Sequence, residues 1–80
     1  MGWVLYIRHG CGLCEEMKQE LDTFLNHSIS TNIQYQLVDI DQDQRLRERY
    51  NEDVPVLVQD GTVVLRYFFD ESLLKKVLNI

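Results

Sequence analysis

The stretch WVLYIRHGCGLC, residues 3–14, decides the fold of this chain. It begins with a short, apolar, β-prone run over residues 3–7, which is typical of a strand buried on both faces of a sheet. Beyond it, apolar side chains recur at helical spacing, so the sequence predicts a helix over residues 13–26. Cys11 therefore lies at or just before a helix N-terminus, and Cys14 lies one turn further along the same side.

Two cysteines in this position indicate thiol–disulfide chemistry. Unpaired N–H groups and the helix dipole favour negative charge at a helix N-terminus. The Cys11 thiol should therefore ionise more readily than a free thiol, and the thiolate is the nucleophile in disulfide exchange. Cys14 lies within reach of the Cys11 sulfur, so we expect it to close an intramolecular disulfide.

Length and composition predict a single domain spanning residues 1–80. Apolar residues make up 45 % of the chain and charged residues 26 %, which fits a globular protein rather than a disordered one. The net charge of -5 argues against nucleic acid as a partner. The longest apolar run is too short to span a membrane, and the chain starts without the basic segment and cleavage site of a signal peptide. We therefore expect a cytoplasmic protein, and we expect it to be a monomer.

The remaining elements complete a β-α-β-α-β-β-α order. The predicted segments are a strand over 33–40, a short helix opened by Asp41 or Asp43 and ended at Asn51, a strand over 54–58, an Asp60-Gly61 hairpin turn leading to a strand from Thr62, and a helix starting at Asp70 or Ser72. This order predicts an α/β fold whose four-stranded mixed sheet is flanked by helices, with the first strand in the middle. The cysteine loop would then project from the carboxyl end of a central strand, where open α/β sheets usually bind ligands.

The chain resembles the glutaredoxins of the thioredoxin superfamily, and among them the short glutaredoxin-like proteins. The resemblance covers essentially the whole chain and rests on C-G-L-C after the first strand, on Pro55 after Val54 at the third strand, and on the element order. It implies a thioredoxin-like fold and a thiol–disulfide oxidoreductase of cell redox homeostasis, acting on protein or glutathione mixed disulfides. Cys11 would be the nucleophile and Cys14 the resolving cysteine. Val54-Pro55 would have a cis peptide bond facing both cysteines, with the Val54 backbone pairing with a bound thiol substrate.

The resemblance also points to substrate-binding residues around the cysteines. Arg8 stands where many glutaredoxins have a lysine that assists thiolate formation or binds a substrate carboxylate. His9 is a candidate for adding positive charge or donating a proton to the leaving thiolate. Gly12 and Leu13 replace the Pro-Tyr pair of the better-known members.

The segment before the last helix differs from that of the glutathione-binding members. Those members have a Gly-Gly pair and a following acid, where this chain has Phe68, Phe69 and Asp70. Asp70 is a candidate for the acidic contact with glutathione. We interpret the two phenylalanines as core residues that tie the final helix to the sheet, whereas an exposed pair would suggest a protein-docking patch. We expect no tightly bound cofactor, and glutathione is a candidate reductant or substrate.

Two other classes of function stay open. Cys11 and Cys14 make half of a zinc site, and His9 is a candidate third ligand. His27, however, lies about 20 Å beyond Cys14 along the predicted helix, so one chain cannot close the site. A dimer sharing an iron–sulfur cluster through Cys11 is the remaining metal-binding alternative. The other alternative is a non-catalytic adaptor that keeps the thioredoxin fold to bind a partner.

Overall fold

The computed structural model describes residues 2–27 and 33–80. The elements follow the predicted β-α-β-α-β-β-α order and comprise β1 (Trp3–Ile7), α1 (Gly12–His27), β2 (Tyr35–Asp39), α2 (Gln44–Tyr50), β3 (Val56–Gln59), β4 (Thr62–Arg66) and α3 (Glu71–Leu78), with single 3-10 turns at Ile40–Gln42 and Asn51–Asp53. The predicted α/β fold is therefore confirmed. Within the described ranges, no helix is long and apolar enough to cross a membrane.

The four strands form one mixed sheet in the order β2-β1-β3-β4. β1 pairs in parallel with β2 and antiparallel with β3, and β3 and β4 form the predicted hairpin. β1 thus lies in the middle, as its apolar sequence predicts. Only Leu5 of β1 is fully buried, however, and its neighbours in the strand are half-buried. A domain this small has too little chain to cover both faces of its sheet completely.

Two apolar clusters form the core. One unites β1, β3 and β4 with α1 and α3, and its buried members are Leu5, Met17, Leu21, Leu57, Leu65 and Leu74. The other includes α2 and the 3-10 turn after β2, and its buried members are Cys14, Ile40, Tyr50, Val54, Val56 and Val58. Leu57 belongs to the first cluster while Val56 and Val58 belong to the second, because successive side chains of a strand point to opposite faces. Cys14 is therefore part of the core.

Local capping residues set boundaries of α2 and α3. Asp43, rather than Asp41, caps α2, since its Oδ1 accepts a 2.8 Å hydrogen bond from the Arg45 N–H. Asn51 is the C-cap of α2, as predicted. Asp70 caps α3 by accepting from the Leu73 N–H at 3.0 Å. The third strand begins at Val56 rather than at Val54, so Val54 and Pro55 lie in the loop that leads into it.

The two phenylalanines before α3 have different environments. Phe69 is half-buried and packs against Phe24, with 6.0 Å between the ring centroids. Phe68 is 67 % exposed, so its interpretation as a core residue is wrong. The chain turns at Tyr67, whose φ is 65°, so it leaves the extended geometry of β4, and only the Phe69 side chain packs against the core.

Candidate dithiol active site

The loop between β1 and α1 places Cys11 directly before the first helical residue. The Cys11 N–H donates to the Arg8 carbonyl at 3.3 Å, which closes a turn, and Gly10 lies within that turn at a φ of 75°. The Cys14 N–H then donates to Cys11 Sγ at 3.1 Å. The sulfur of Cys11 thus accepts one of the N–H groups that the helix leaves unpaired at its start. The Cys11 sulfur is therefore fixed by a hydrogen bond at the start of α1.

The two cysteines differ sharply in their surroundings. Both are free thiols, and Cys11 is half-buried whereas Cys14 is only 2 % exposed. Burial is the largest cause that raises the pKa of Cys14, to about 12. The hydrogen bond with Cys11 and the charges of Cys11 and Asp39 raise this pKa further, while a hydrogen bond with the Arg8 backbone lowers it. Cys14 is therefore a neutral thiol in the reduced protein at physiological pH.

The Val54-Pro55 peptide bond is cis. Val54 belongs to the same apolar cluster as Cys14, and Cys11 packs against that cluster. The Pro55 carbonyl accepts a 2.9 Å hydrogen bond from the Tyr67 N–H, and the Tyr67 hydroxyl donates to Asp53 Oδ1 at 2.9 Å. The end of β4 is thereby fastened to the proline loop on both sides of Val54.

Arg8 has a partner that sequence reasoning missed. Its Nε lies 3.2 Å and 3.1 Å from the two carboxylate oxygens of Asp41, and its terminal nitrogen lies 3.0 Å from Oδ1. Asp41 lies in the 3-10 turn that follows β2. A signal was present in the sequence, because residues that follow two neighbouring parallel strands meet at the same edge of the sheet. The opposite charges of Arg8 and Asp41 then favour a pair.

The other predicted site residues either adjoin the cysteines in the chain or follow β4. His9 and Gly12 are exposed, and Leu13 is 37 % exposed at the start of α1. Asp70 is exposed as well, and its carboxylate caps α3. It also lines a shallow surface groove together with Phe68 and Phe69. The structure thus brings Cys11, Cys14 and Val54 together in one apolar cluster. Asp70 lies apart from that cluster in sequence, as the N-cap of α3.

Within the described part of the chain, no further side chain joins the two cysteines as a metal ligand. His27 lies at the last turn of α1, where its Nδ1 is 2.8 Å from the Thr23 carbonyl oxygen. Across residues 2–27 and 33–80, no three side chains among Cys, His, Asp and Glu come together as a metal site.

Comparison with known proteins identifies the family. Residues 3–79 match the Glutaredoxin-like domain (DUF836), and the chain belongs to that family. A solution structure of the protein Ne2328 from Nitrosomonas europaea is 32 % identical, with a TM-score of 0.77 over 95 % of this chain and 88 % of that one. A protein from X. campestris is 28 % identical, with a TM-score of 0.74 over 98 % and 96 % of the two chains. The thioredoxin-like protein BC3987, solved as a variant, is 26 % identical, with a TM-score of 0.63 over 96 % and 99 %. No significant match was found among curated proteins.

Proposed function

We propose that this member of the glutaredoxin-like family is a thiol–disulfide oxidoreductase that uses Cys11 and Cys14 as its dithiol. The observation that carries the proposal is the asymmetry of the two thiols. Cys11 is accessible, and its sulfur accepts a helix N-terminal N–H at 3.1 Å, whereas Cys14 is buried and has a pKa raised to about 12. One thiol is thus suited to attack, and the other stays protonated until it is needed.

In the first step, the Cys11 thiolate attacks one sulfur of a substrate disulfide. A bond forms between Cys11 Sγ and that sulfur, the substrate S–S bond breaks, and the other substrate sulfur leaves as a thiolate. The leaving thiolate takes a proton from water or from the exposed His9. The product is a mixed disulfide on Cys11.

In the second step, Cys14 attacks Cys11 Sγ and releases the second substrate thiol. Mixed-disulfide formation consumes the Cys11 thiol, so two causes that raise the pKa of Cys14, its hydrogen bond with Cys11 and the charge on Cys11, disappear. The Cys14 thiol therefore ionises more readily at the point where it must act. It gives its proton to solvent or to the leaving sulfur, and a Cys11–Cys14 disulfide remains. Two electrons have passed to the substrate, which leaves as two thiols.

The proline loop is suited to bind the substrate. Val54 has extended backbone, with φ of -66° and ψ of 145°, and it packs in the cluster that both cysteines contact. Its peptide groups can pair with an extended substrate segment beside the reacting sulfur, as strands do. Gly12 and Leu13, which follow Cys11 in the chain, offer exposed surface next to it.

Disulfide-containing proteins and glutathione mixed disulfides are the two substrate classes that this site can serve. The Cys11–Cys14 disulfide is returned to the dithiol by two equivalents of a monothiol or by one dithiol, which is oxidised in turn. We place this reaction in a reducing compartment such as the cytoplasm. There it would contribute to redox homeostasis.

Single cysteine substitutions test the proposal. Cys11→Ser should abolish reduction of a model disulfide, because no accessible nucleophile remains. Cys14→Ser should accumulate a mixed disulfide on Cys11, detected as an added mass under non-reducing conditions. Cys11→Ser with full activity, or no adduct on Cys14→Ser, would contradict the proposal and favour the adaptor alternative. A visible absorption band in the purified protein would favour the iron–sulfur alternative.

A further inference from the structure

The ion pair between Arg8 and Asp41 bears on which disulfides the site accepts. All three Arg8–Asp41 contacts lie between 3.0 and 3.2 Å, so the pair is bidentate. Bidentate pairing fixes the orientation of a guanidinium as well as its charge. The Arg8 side chain is therefore held at the turn after β2, and its charge is balanced by a carboxylate.

Further carboxylates lie near the edge of the sheet where β1 and β2 end. Asp39 ends β2 and lies close enough to Cys14 for its charge to raise the pKa of that thiol. Glu15 lies in the first turn of α1. The guanidinium of Arg66 is 3.8 Å from Asp53, near the proline loop. Arg47 adds a positive charge and donates to the Asp41 carbonyl at 3.2 Å, so two arginines converge on Asp41.

We propose that Asp41, by holding Arg8, makes the site disfavour anionic disulfides, glutathione disulfide among them, and favour disulfides whose flanking residues are neutral or cationic. The inference rests on the proposed oxidoreductase function. Each half of glutathione disulfide carries two carboxylates and one ammonium group, so the molecule is an anion at neutral pH. A cation without a carboxylate partner would favour binding of an anionic substrate. Here the Arg8 guanidinium is already paired with the Asp41 carboxylate. Asp41 is thus a specificity-determining residue that acts through Arg8.

A matched pair of substrates isolates the charge. We would compare glutathione disulfide with the disulfide of glutathione C-terminal amide, which has the same thiols and lacks one carboxylate in each half. The wild-type protein should reduce the amide with a kcat/KM about two- to fivefold higher, the range expected from one exposed charge pair. High salt should abolish this preference, because screening weakens interactions between exposed charges.

Variants test whether Asp41 causes the preference for the amide disulfide. Asp41→Asn should bring the ratio of the two kcat/KM values to one or below, because Arg8 is released to pair with the substrate carboxylate. Asp43→Asn is the matched control, since it removes the same charge two residues away and asparagine caps α2 as well as aspartate does. It should leave the ratio close to that of the wild type. The double variant R8Q/D41N should lose the gain that Asp41→Asn brings on glutathione disulfide.

Two results would overturn the inference: equal wild-type rates on the two disulfides, or an Asp43→Asn ratio that shifts as far as that of Asp41→Asn. The amide disulfide separates these results from failure of the proposed function itself. If the wild-type protein reduces neither disulfide and forms no mixed disulfide on Cys11, the oxidoreductase function is refuted, and the specificity inference falls with it.

Discussion

The asymmetry of the two thiols predicts a large difference in their alkylation rates in the reduced protein. The pKa of Cys14 is raised to about 12, so at pH 7 about one molecule in 10⁵ carries the Cys14 thiolate. An unperturbed cysteine has a pKa of about 8.5, which corresponds to roughly three thiolates per hundred molecules. Thiolates of higher pKa are intrinsically more nucleophilic, with a Brønsted slope of about 0.4 to 0.5, which offsets part of this difference. Cys14 should therefore react about 10²-fold more slowly than an ordinary thiol, and its burial slows it further.

The assay is timed alkylation of the reduced protein with iodoacetamide, followed by peptide mass spectrometry at both cysteines. At neutral pH, Cys11 should be labelled and Cys14 should stay unlabelled. Because a raised pKa means that the thiolate appears only at high pH, labelling of Cys14 should increase about tenfold per pH unit up to pH 10, without levelling off. Measurements would stay within the pH range where circular dichroism shows the protein folded. In denaturant, both cysteines should react at the rate of free thiols.

Similar labelling rates for Cys11 and Cys14 in the folded protein would refute this reasoning. So would a Cys14 rate that levels off below pH 9, because it would mean that burial does not hold the pKa of that thiol high. The variant Cys14→Ala is the control for peptide assignment, since it should yield a singly labelled protein under all conditions.

Three further predictions concern stability and the groove before α3. Leu5→Ala should lower the free energy of unfolding, measured by urea denaturation, by about 2–5 kcal/mol, because Leu5 is fully buried at the centre of the sheet. A loss below about 1 kcal/mol would contradict the assigned core. Asp70→Ala should cost about 1 kcal/mol through loss of the α3 cap, whereas Asp70→Asn keeps the cap. A lower kcat/KM for Asp70→Asn at unchanged stability would then show that the carboxylate contacts substrate, and unchanged kinetics would limit Asp70 to capping. Phe68→Ser should change stability by less than about 0.5 kcal/mol, while Phe69→Ala should cost roughly 3 kcal/mol, because only Phe69 packs against the core; equal losses would contradict these environments.

Much of the local geometry of the candidate site could be predicted because its signals are local. The helix start at Cys11 follows from the change between an apolar run and helical spacing, both visible within residues 3–26. The cis bond at Val54-Pro55 was expected from the resemblance, and the structure has it. Neither the Arg8–Asp41 pair nor the bond between Tyr67 and Pro55 was predicted. These contacts join residues far apart in sequence, and no short-range pattern encodes them.

The environments of Phe68 and Phe69 also could not be predicted from short-range patterns. Composition makes both phenylalanines equal candidates for the core, and only the direction of each side chain on the folded backbone separates them. The depth of Cys14 is also a tertiary property, because the apolar cluster to which it belongs brings together Tyr50 of α2 and Val56 and Val58 of β3.

The sequence by itself determined the order of the elements, the Asp60-Gly61 turn and the position of the two cysteines at a helix start, and it limited each helix cap to two candidates, Asp41 or Asp43 for α2 and Asp70 or Ser72 for α3. Each depends on backbone propensity and side-chain periodicity within a few residues, which act wherever the segment lies in the fold. The tertiary structure alone decided which thiol is buried and which carboxylate holds Arg8. Burial and charge pairing depend on which distant segments pack together, and that is settled only when the sheet has assembled.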